Sequence, residues 1–281
     1  MRSAAAFAPG SISGLFKIIA DDDPEKMHSL GLSFTVAEGA AVTVSEASRT
    51  AVTFNGEEIR FPTVATLAGR LSDGAFDFAV ESPLPLSCGF GLSGASTLAA
   101  AYAIDRLLGL GMAAEELALH AHVAEVENLT GLGDVCAQYH GGCLVKLAPG
   151  SPLVAQRLAV AEGEPIHFRY FGPISTREVL SDPRRAAAVN RAADAALRQL
   201  SGLTGREQVP VSECVRVSRR FAEDSGLMTD PRVGETVASV GASGGEASMI
   251  MLGHAVFSTV PFPGSTETSL SLVPARVLDG P

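Results

Sequence analysis

The sequence predicts an α+β protein of two lobes, and three features of the chain carry that expectation. Residues 30–80 are dense in strand signals, residues 93–129 hold two helix-forming runs, and Pro149-Gly150-Ser151-Pro152 interrupts the chain before a second mixture of strands and helices. The expected lobes are residues 1–150 and 151–281.

In the first lobe, residues 32–36 and 41–44 alternate or carry β-branched side chains and read as strands. Asn55-Gly56, between Val52-Thr53-Phe54 and Ile59-Arg60-Phe61, is a two-residue hairpin signal, because such a turn needs residues that tolerate positive φ. Residues 76–80 read as a further strand. Residues 93–108 are rich in Ala and Leu and free of Pro, and read as a helix. Residues 113–129 read as a second, with Glu115 and Glu116 in the first turn, where they suit the helix dipole. Residues 144–147 form a short strand. In the second lobe, 166–171 reads as a strand, 183–200 and 210–225 as helices, 247–252 as a helix end and 255–259 as a strand.

With 46% hydrophobic residues in 281, the chain has material for a packed core. Its net charge of −10 argues against a general nucleic-acid binder, which needs a basic surface, while leaving room for a small anionic substrate met by a few local cations. Cys88, Cys136, Cys143 and Cys214 form no C-x-x-C pair, so a zinc ribbon or thioredoxin-like site is not expected and reduced thiols are. The N-terminus shows no signal segment, and no run approaches the roughly 20 apolar residues of a membrane span. A soluble, cytoplasmic protein that binds no nucleic acid and no membrane is expected, with a homodimer as the default assembly.

The segment Pro85-Leu86-Ser87-Cys88-Gly89-Phe90-Gly91-Leu92-Ser93-Gly94-Ala95-Ser96 follows a predicted strand and opens a predicted helix. Glycines let backbone approach a ligand closely, and a helix N-terminus offers unpaired N–H groups and the positive end of its dipole. Together they suit a di- or triphosphate, with Ser93 and Ser96 adding hydroxyls for a phosphate or Mg²⁺. On glycine content alone, a strand-to-helix turn with a serine cap is an equal reading. The segment is neither a Walker loop nor a G-x-G-x-x-G fingerprint.

These residues resemble the second motif of the GHMP kinases, P-x-x-x-G-L-x-S-S-A, with Pro85, Gly89 and Ser93 in place and with Phe90, Leu92 and Gly94 departing from it. Ala8-Pro9-Gly10-Ser11-Ile12-Ser13-Gly14-Leu15-Phe16 looks like the family's first motif, with Ser11 where most members carry Lys. Gly241-Ala242-Ser243-Gly244-Gly245-Glu246-Ala247 resembles the glycine-rich third motif. The first motif, the segment from Glu125 to Gln138 and Gly172-Pro173-Ile174-Ser175-Thr176-Arg177 are most similar to the archaeal branch that phosphorylates pantoate on the route to coenzyme A.

The resemblance implies a two-lobed fold: a β-α-β-type lobe with the phosphate loop and a catalytic aspartate, then a ferredoxin-like α+β lobe. It implies ATP as phosphate donor, Mg²⁺ and a small alcohol, pantoate, as acceptor. A mevalonate-, homoserine- or shikimate-like acceptor, or an inactive nucleotide-binding member, are the other readings. The nucleotide residues are then Pro85, Ser87, Gly89, Gly91, Leu92, Ser93, Gly94, Ala95 and Ser96. Asp134 takes the place of the aspartate that orients or deprotonates the acceptor; from the residues alone, a loop Asp bonding its own backbone is the plainer reading. Ser93 and Glu125 are the expected Mg²⁺ ligands, with Glu127 as competitor about 200° away around a helix. Ser11, Ser13, Arg177 and His28 are expected on the substrate, Arg177 being favoured over Arg49 and Arg60 for its carboxylate. With Ser11 in the lysine position, Lys17 or an arginine substitutes, or the aspartate acts without a cation.

Overall fold

The computed structural model describes residues 2–174 and 176–279, so Ser175 of the segment quoted above lies outside the described residues. In chain order the elements are β1 (Ser3–Ile19), β2 (His28–Ala47), β3 (Ala51–Phe54), β4 (Glu57–Glu58), α1 (Pro62–Leu71), β5 (Ala75–Glu81), α2 (Leu92–Leu108), α3 (Ala114–Asn128), α4 (Asp134–His140) and β6 (Cys143–Lys146). There follow β7 (Gln156–Arg157), β8 (Pro165–Pro173), α5 (Thr176–Ser181), α6 (Pro183–Ser201), α7 (Val211–Ser225), α8 (Pro231–Ala242), β9 (Ala247–Met249), β10 (Gly253–Ser258), β11 (Thr266–Ser269) and β12 (Arg276–Leu278).

The architecture is α+β, built on two sheets. The first runs β12-β1-β2-β5-β3-β4, with β6 paired to the opening residues of β2 and β7 to β6. The second is β11-β8-β10-β9. β2 is long enough to pair with β6 over Gly31–Phe34 and with β5 over Ala41–Ala47 on the same edge, so the site is built where these two pairings part. The expected hairpin forms, with Asn55 at φ 49° and Gly56 at φ 86° between β3 and β4.

α2 is buried along nearly its whole length, against the sheet and against α1, α3 and α4. Its run Ala99-Ala100-Ala101 explains this: a helix apolar all round has no face for water, and small side chains let neighbours close on every side. In the other half, α6 and α7 pack on the far end of β1, and α8 packs on β9 and β10. The ends of β1 and β2 bridge the two halves: Phe16 meets Phe221 of α7 edge-on at 5.9 Å, and Phe34 meets Phe257 of β10 at 5.5 Å.

Several elements differ from the sequence reading. The first-motif segment 8–16 lies inside β1, whose register shifts between Pro9 and Ser11 and between Ser13 and Leu15. Such irregularities re-aim side chains at a sheet's functional end. Residues 247–249 are strand β9 rather than a helix end, because Ala247, Ser248 and Met249 pair with Ser258, Phe257 and Val256. The chain also returns after the break at 149–152: β7 pairs with β6, and β12 pairs with β1.

Candidate active site

The loop between β5 and α2 carries three residues at positive φ: Ser87 at 62°, Gly89 at 86° and Gly91 at 58°. Gly91 is the N-cap of α2, in the left-handed region and without a side-chain cap. The first turn of a buried helix therefore opens onto a cleft of about 380 Å³ with no side chain capping its N-terminus. The loop is held from below by the β9–β10 turn: a Cβ on Gly89 would lie 2.6 Å from Ile250 and 2.9 Å from the Met251 carbonyl.

Pro85, Ser87, Gly89, Gly91, Leu92 and Ser93 line this cleft. Gly94, Ala95 and Ser96 do not. They lie inside α2, and Ser96 is fully buried with no hydrogen-bond partner among the described residues. The side chains of Ala95 and Ser96 face the helix's neighbours, and Gly94, still in the first turn, has only its backbone to offer.

A second, smaller pocket lies on the other side of Asp134, with walls from Leu15, Phe16, Leu30, Leu32 and Leu144. Its polar groups include Ser13, Ser29, Ser33, Asp134, Lys146 and Thr176. Asp134, Ser13, Thr176 and Leu252 line both hollows. Asp134 thus sits on the wall they share.

Asp134 is the first residue of α4, with Gly133 as N-cap, rather than part of a loop. Its Oδ1 accepts from Ser11 Oγ at 2.9 Å and from Ser13 Oγ at 3.3 Å. Burial raises its pKa, and the two serine bonds work against that rise. Lys17 does not substitute for the first-motif lysine, because it is paired with Asp194 at 2.6 Å. Neutral hydroxyls from β1 hold the carboxylate instead.

Glu125 on α3 is almost fully buried and accepts from Ser93 Oγ at 2.6 Å through Oε1, while its Oε2 has no hydrogen-bond partner among the described residues. A Cβ on Gly131 would lie 3.0 Å from Glu125 Oε2 and 3.2 Å from Asp134 Oδ2, so both free carboxylate oxygens face the same spot. Burial pushes the Glu125 carboxyl up to about 7. An acid left without a cation in a dry place holds its proton in this way. Ser93 and Glu125 are oxygen donors of the kind Mg²⁺ takes, and the orphaned Oε2 is the feature a hard cation would satisfy. Glu127 is ruled out as the competitor: it points away and pairs with Arg70 at 3.3 Å. His122 beside it donates Nε2–H to the Met27 carbonyl at 2.9 Å, and burial pushes its pKa down to about 4.

Other expectations shift position. Arg177 lines the large cleft, not the small pocket, and donates to the Asn128 carbonyl at 2.7 Å. Arg60 lines the same cleft, whereas Arg49 is on the surface with Glu58 at 3.1 Å. His28 lines neither hollow; its Nδ1–H donates to the Lys26 carbonyl at 2.6 Å, and Ser29 beside it reaches the pocket instead. The glycines of the segment 241–247 do not support the phosphate loop: a Cβ on Gly245 would meet Val260 and Val240, and Gly244 faces open space. Met251 and Gly253 pack beneath the loop instead, a Cβ on Gly253 lying 2.4 Å from the Cys88 carbonyl.

Sequence reasoning missed Lys146. It ends the apolar strand β6, is one of three lysines in the chain, and brings a cation to the small pocket. Burial lowers its pKa. A lone lysine closing an apolar strand was the available signal.

A cleft at the opening of α2 and a smaller pocket meet at a buried aspartate, an arrangement suited to a small-molecule kinase, and the chain is similar to the GHMP kinases. Residues 60–142 match the model described as GHMP kinases N terminal domain. The chain is 28% identical over 258 residues to the pantoate kinase of Methanocaldococcus jannaschii, covering 89% of this chain and 90% of that one. It is 29% identical over 277 residues to the pantoate kinase of Thermococcus kodakarensis, covering 91% and 87%. A solved structure described as a phosphotransferase related to the CoA biosynthesis pathway superposes with a TM-score of 0.82 at 25% identity, covering 98% of both chains.

Proposed function

We propose that this protein transfers the γ-phosphoryl group of ATP to a hydroxyl of pantoate, in coenzyme A biosynthesis. The observation that carries the reading is the shared wall: Asp134 faces the phosphate cleft on one side and the small pocket on the other. The pocket's leucine and phenylalanine walls suit the branched carbon of pantoate, and Lys146 suits its carboxylate. Arg177, in the cleft beside the loop, supplies a cation at the phosphate side or at the edge of the substrate.

In this reading the loop N–H groups and the opening of α2 hold the phosphates. Asp134 Oδ1 stays anchored on the two serines, and Oδ2 receives the acceptor's proton. The alcohol oxygen then bonds to the γ-phosphorus as the bond to the β-phosphate oxygen breaks and ADP leaves. Ser93 and Glu125 would hold Mg²⁺, which when bound neutralises charge on the phosphate oxygens. Residues 1–150 supply the loop and the aspartate, and 151–281 supply the β9–β10 turn and α5 that close the cleft. The same reading places the enzyme in the cytoplasm with its nucleotide; among the described residues no helix is long and apolar enough to cross a membrane. A homodimer is the expected assembly, to be read by light scattering.

The test is ADP release over a panel of alcohols with ATP and Mg²⁺. Pantoate should be turned over fastest. Turnover of mevalonate or homoserine with pantoate inert would overturn the assignment.

A further inference from the structure

Ser11 stands where the resemblance puts a lysine, and its hydroxyl donates to Asp134 Oδ1 at 2.9 Å. A hydroxyl is donor and acceptor at once and rotates to suit its surroundings. A carboxylate only accepts, so the proton lies towards Asp134, and a donor on the hydroxyl's lone pairs fixes the direction of that bond. Gln138 is that donor. It is fully buried, lies one turn along α4 from Asp134, and its Nε2 donates to Ser11 Oγ at 3.2 Å and to the Gly91 carbonyl at 2.8 Å. The orientation of the amide follows from chemistry: turned over, its oxygen would face the Gly91 carbonyl oxygen, two acceptors together.

We propose that Gln138 is a positioning residue for phosphoryl transfer: anchored on the Gly91 carbonyl, its amide donates to Ser11 Oγ and so aims the Ser11 proton at Asp134, while tying the phosphate loop to the helix that carries the base. The proposal rests on the reading of Asp134 as proton acceptor. A neutral chain of hydrogen bonds then does the orienting for which the first-motif lysine is absent. A second departure from the family pattern fits the same arrangement. Gly94 stands where the pattern has Ala, and a Cβ there would lie 2.9 Å from Gln138 Oε1 and 3.3 Å from Asp134 Cβ. The missing methyl leaves space for the glutamine.

The experiment compares Ser11→Ala, Gln138→Met, the double variant and Asp134→Asn in kcat and in KM for both substrates, with thermal unfolding as a check on folding. Gln138→Met keeps the volume and removes both donors. Each single variant should lower kcat by about tenfold, with either KM changed by less than about threefold. The double variant should be no worse than the poorer single one by more than about threefold, because both changes cut one chain. Multiplicative loss in the double variant, or unchanged kcat with a raised KM for ATP, would overturn the proposal. If Gln138→Met does not fold, Gln138→Glu takes its place: equal in size and without the amide donor, it should lose at least as much kcat, and wild-type turnover would overturn the proposal. Asp134→Asn separates the two readings. If it keeps turnover, the assignment of the base falls and the role of Gln138 with it. If it is inactive while Ser11→Ala and Gln138→Met act independently, the role of Gln138 alone falls.

Discussion

Lys146 and Glu125 are the residues whose surroundings give the sharpest expectations. Lys146 is half-buried at the small pocket, burial lowers its pKa, and its ammonium donates to the Ser151 carbonyl. Lys146→Met should raise KM for pantoate by about 10- to 100-fold, the weight of a charge-assisted contact, and leave KM for ATP unchanged. Initial-rate kinetics in both substrates check this. Glu125, buried and raised to about 7, makes the metal-free protein sensitive to pH. The folded state holds this proton more tightly than the unfolded chain, whose glutamate titrates near ~4.3. Its contribution is therefore fully present below about pH 4 and is lost as pH rises to about 7. His122, lowered to about 4, acts in the opposite sense, its contribution being lost as pH falls from ~6.5 towards 4. The difference between wild type and Glu125→Gln isolates the glutamate. With chelator and no nucleotide, Glu125→Gln should gain stability over wild type as pH rises from 5 to 8, reaching on the order of 3 kcal/mol by thermal unfolding.

At the scale of elements, the phosphate loop depends on a turn far away in sequence. Gly89 is at φ 86°, and any Cβ there meets Ile250 and the Met251 carbonyl. Gly89→Ala should cost about 1–3 kcal/mol and raise KM for ATP, since the loop must lift from its support. Denaturant unfolding and ATP titration read the two effects. The loop's place between a strand and a helix was legible in the sequence, from its glycines and the Pro-free run that follows them. Its support was not: Gly244-Gly245 had the denser glycine signal, while Met251-Leu252-Gly253 does the work through backbone contact, which leaves no mark in residue type. The side chains of 95 and 96 turn into the helix's neighbours for a related reason. Motif spacing locates a segment, but only the helix start at Leu92 says which of its side chains face outward.

At the scale of the molecule, the halves are joined through the ends of β1 and β2, which pack on α7 and β10 as well as on the first helical layer. The aspartate and the turn beneath the phosphate loop are thus held in one frame, with Met251 N–H bonded to the Ser13 carbonyl at 3.2 Å. Phe257→Ala should cost about 3–5 kcal/mol, because Phe257 is fully buried against Phe34 at that junction. Loss of turnover in step with loss of cooperative unfolding would mark the junction as shared by fold and site.

The sequence by itself determined the α+β class, the hairpin at Asn55-Gly56, most helices, the glycine loop ahead of α2 and the segment bearing Glu125 and Asp134. Those features rest on local chemistry: periodicity, turn residues, and glycine ahead of a helix. The tertiary structure alone decided what faces what. It chose Glu125 over Glu127, set Ser11 and not Lys17 on Asp134, brought Lys146 to the pocket, and replaced the glycines of 241–247 by the turn at 251–253. Each of these is a contact between residues far apart in the chain. Their direction depends on register, on irregularities in β1 and on helix phase, which residue types along a single line do not encode.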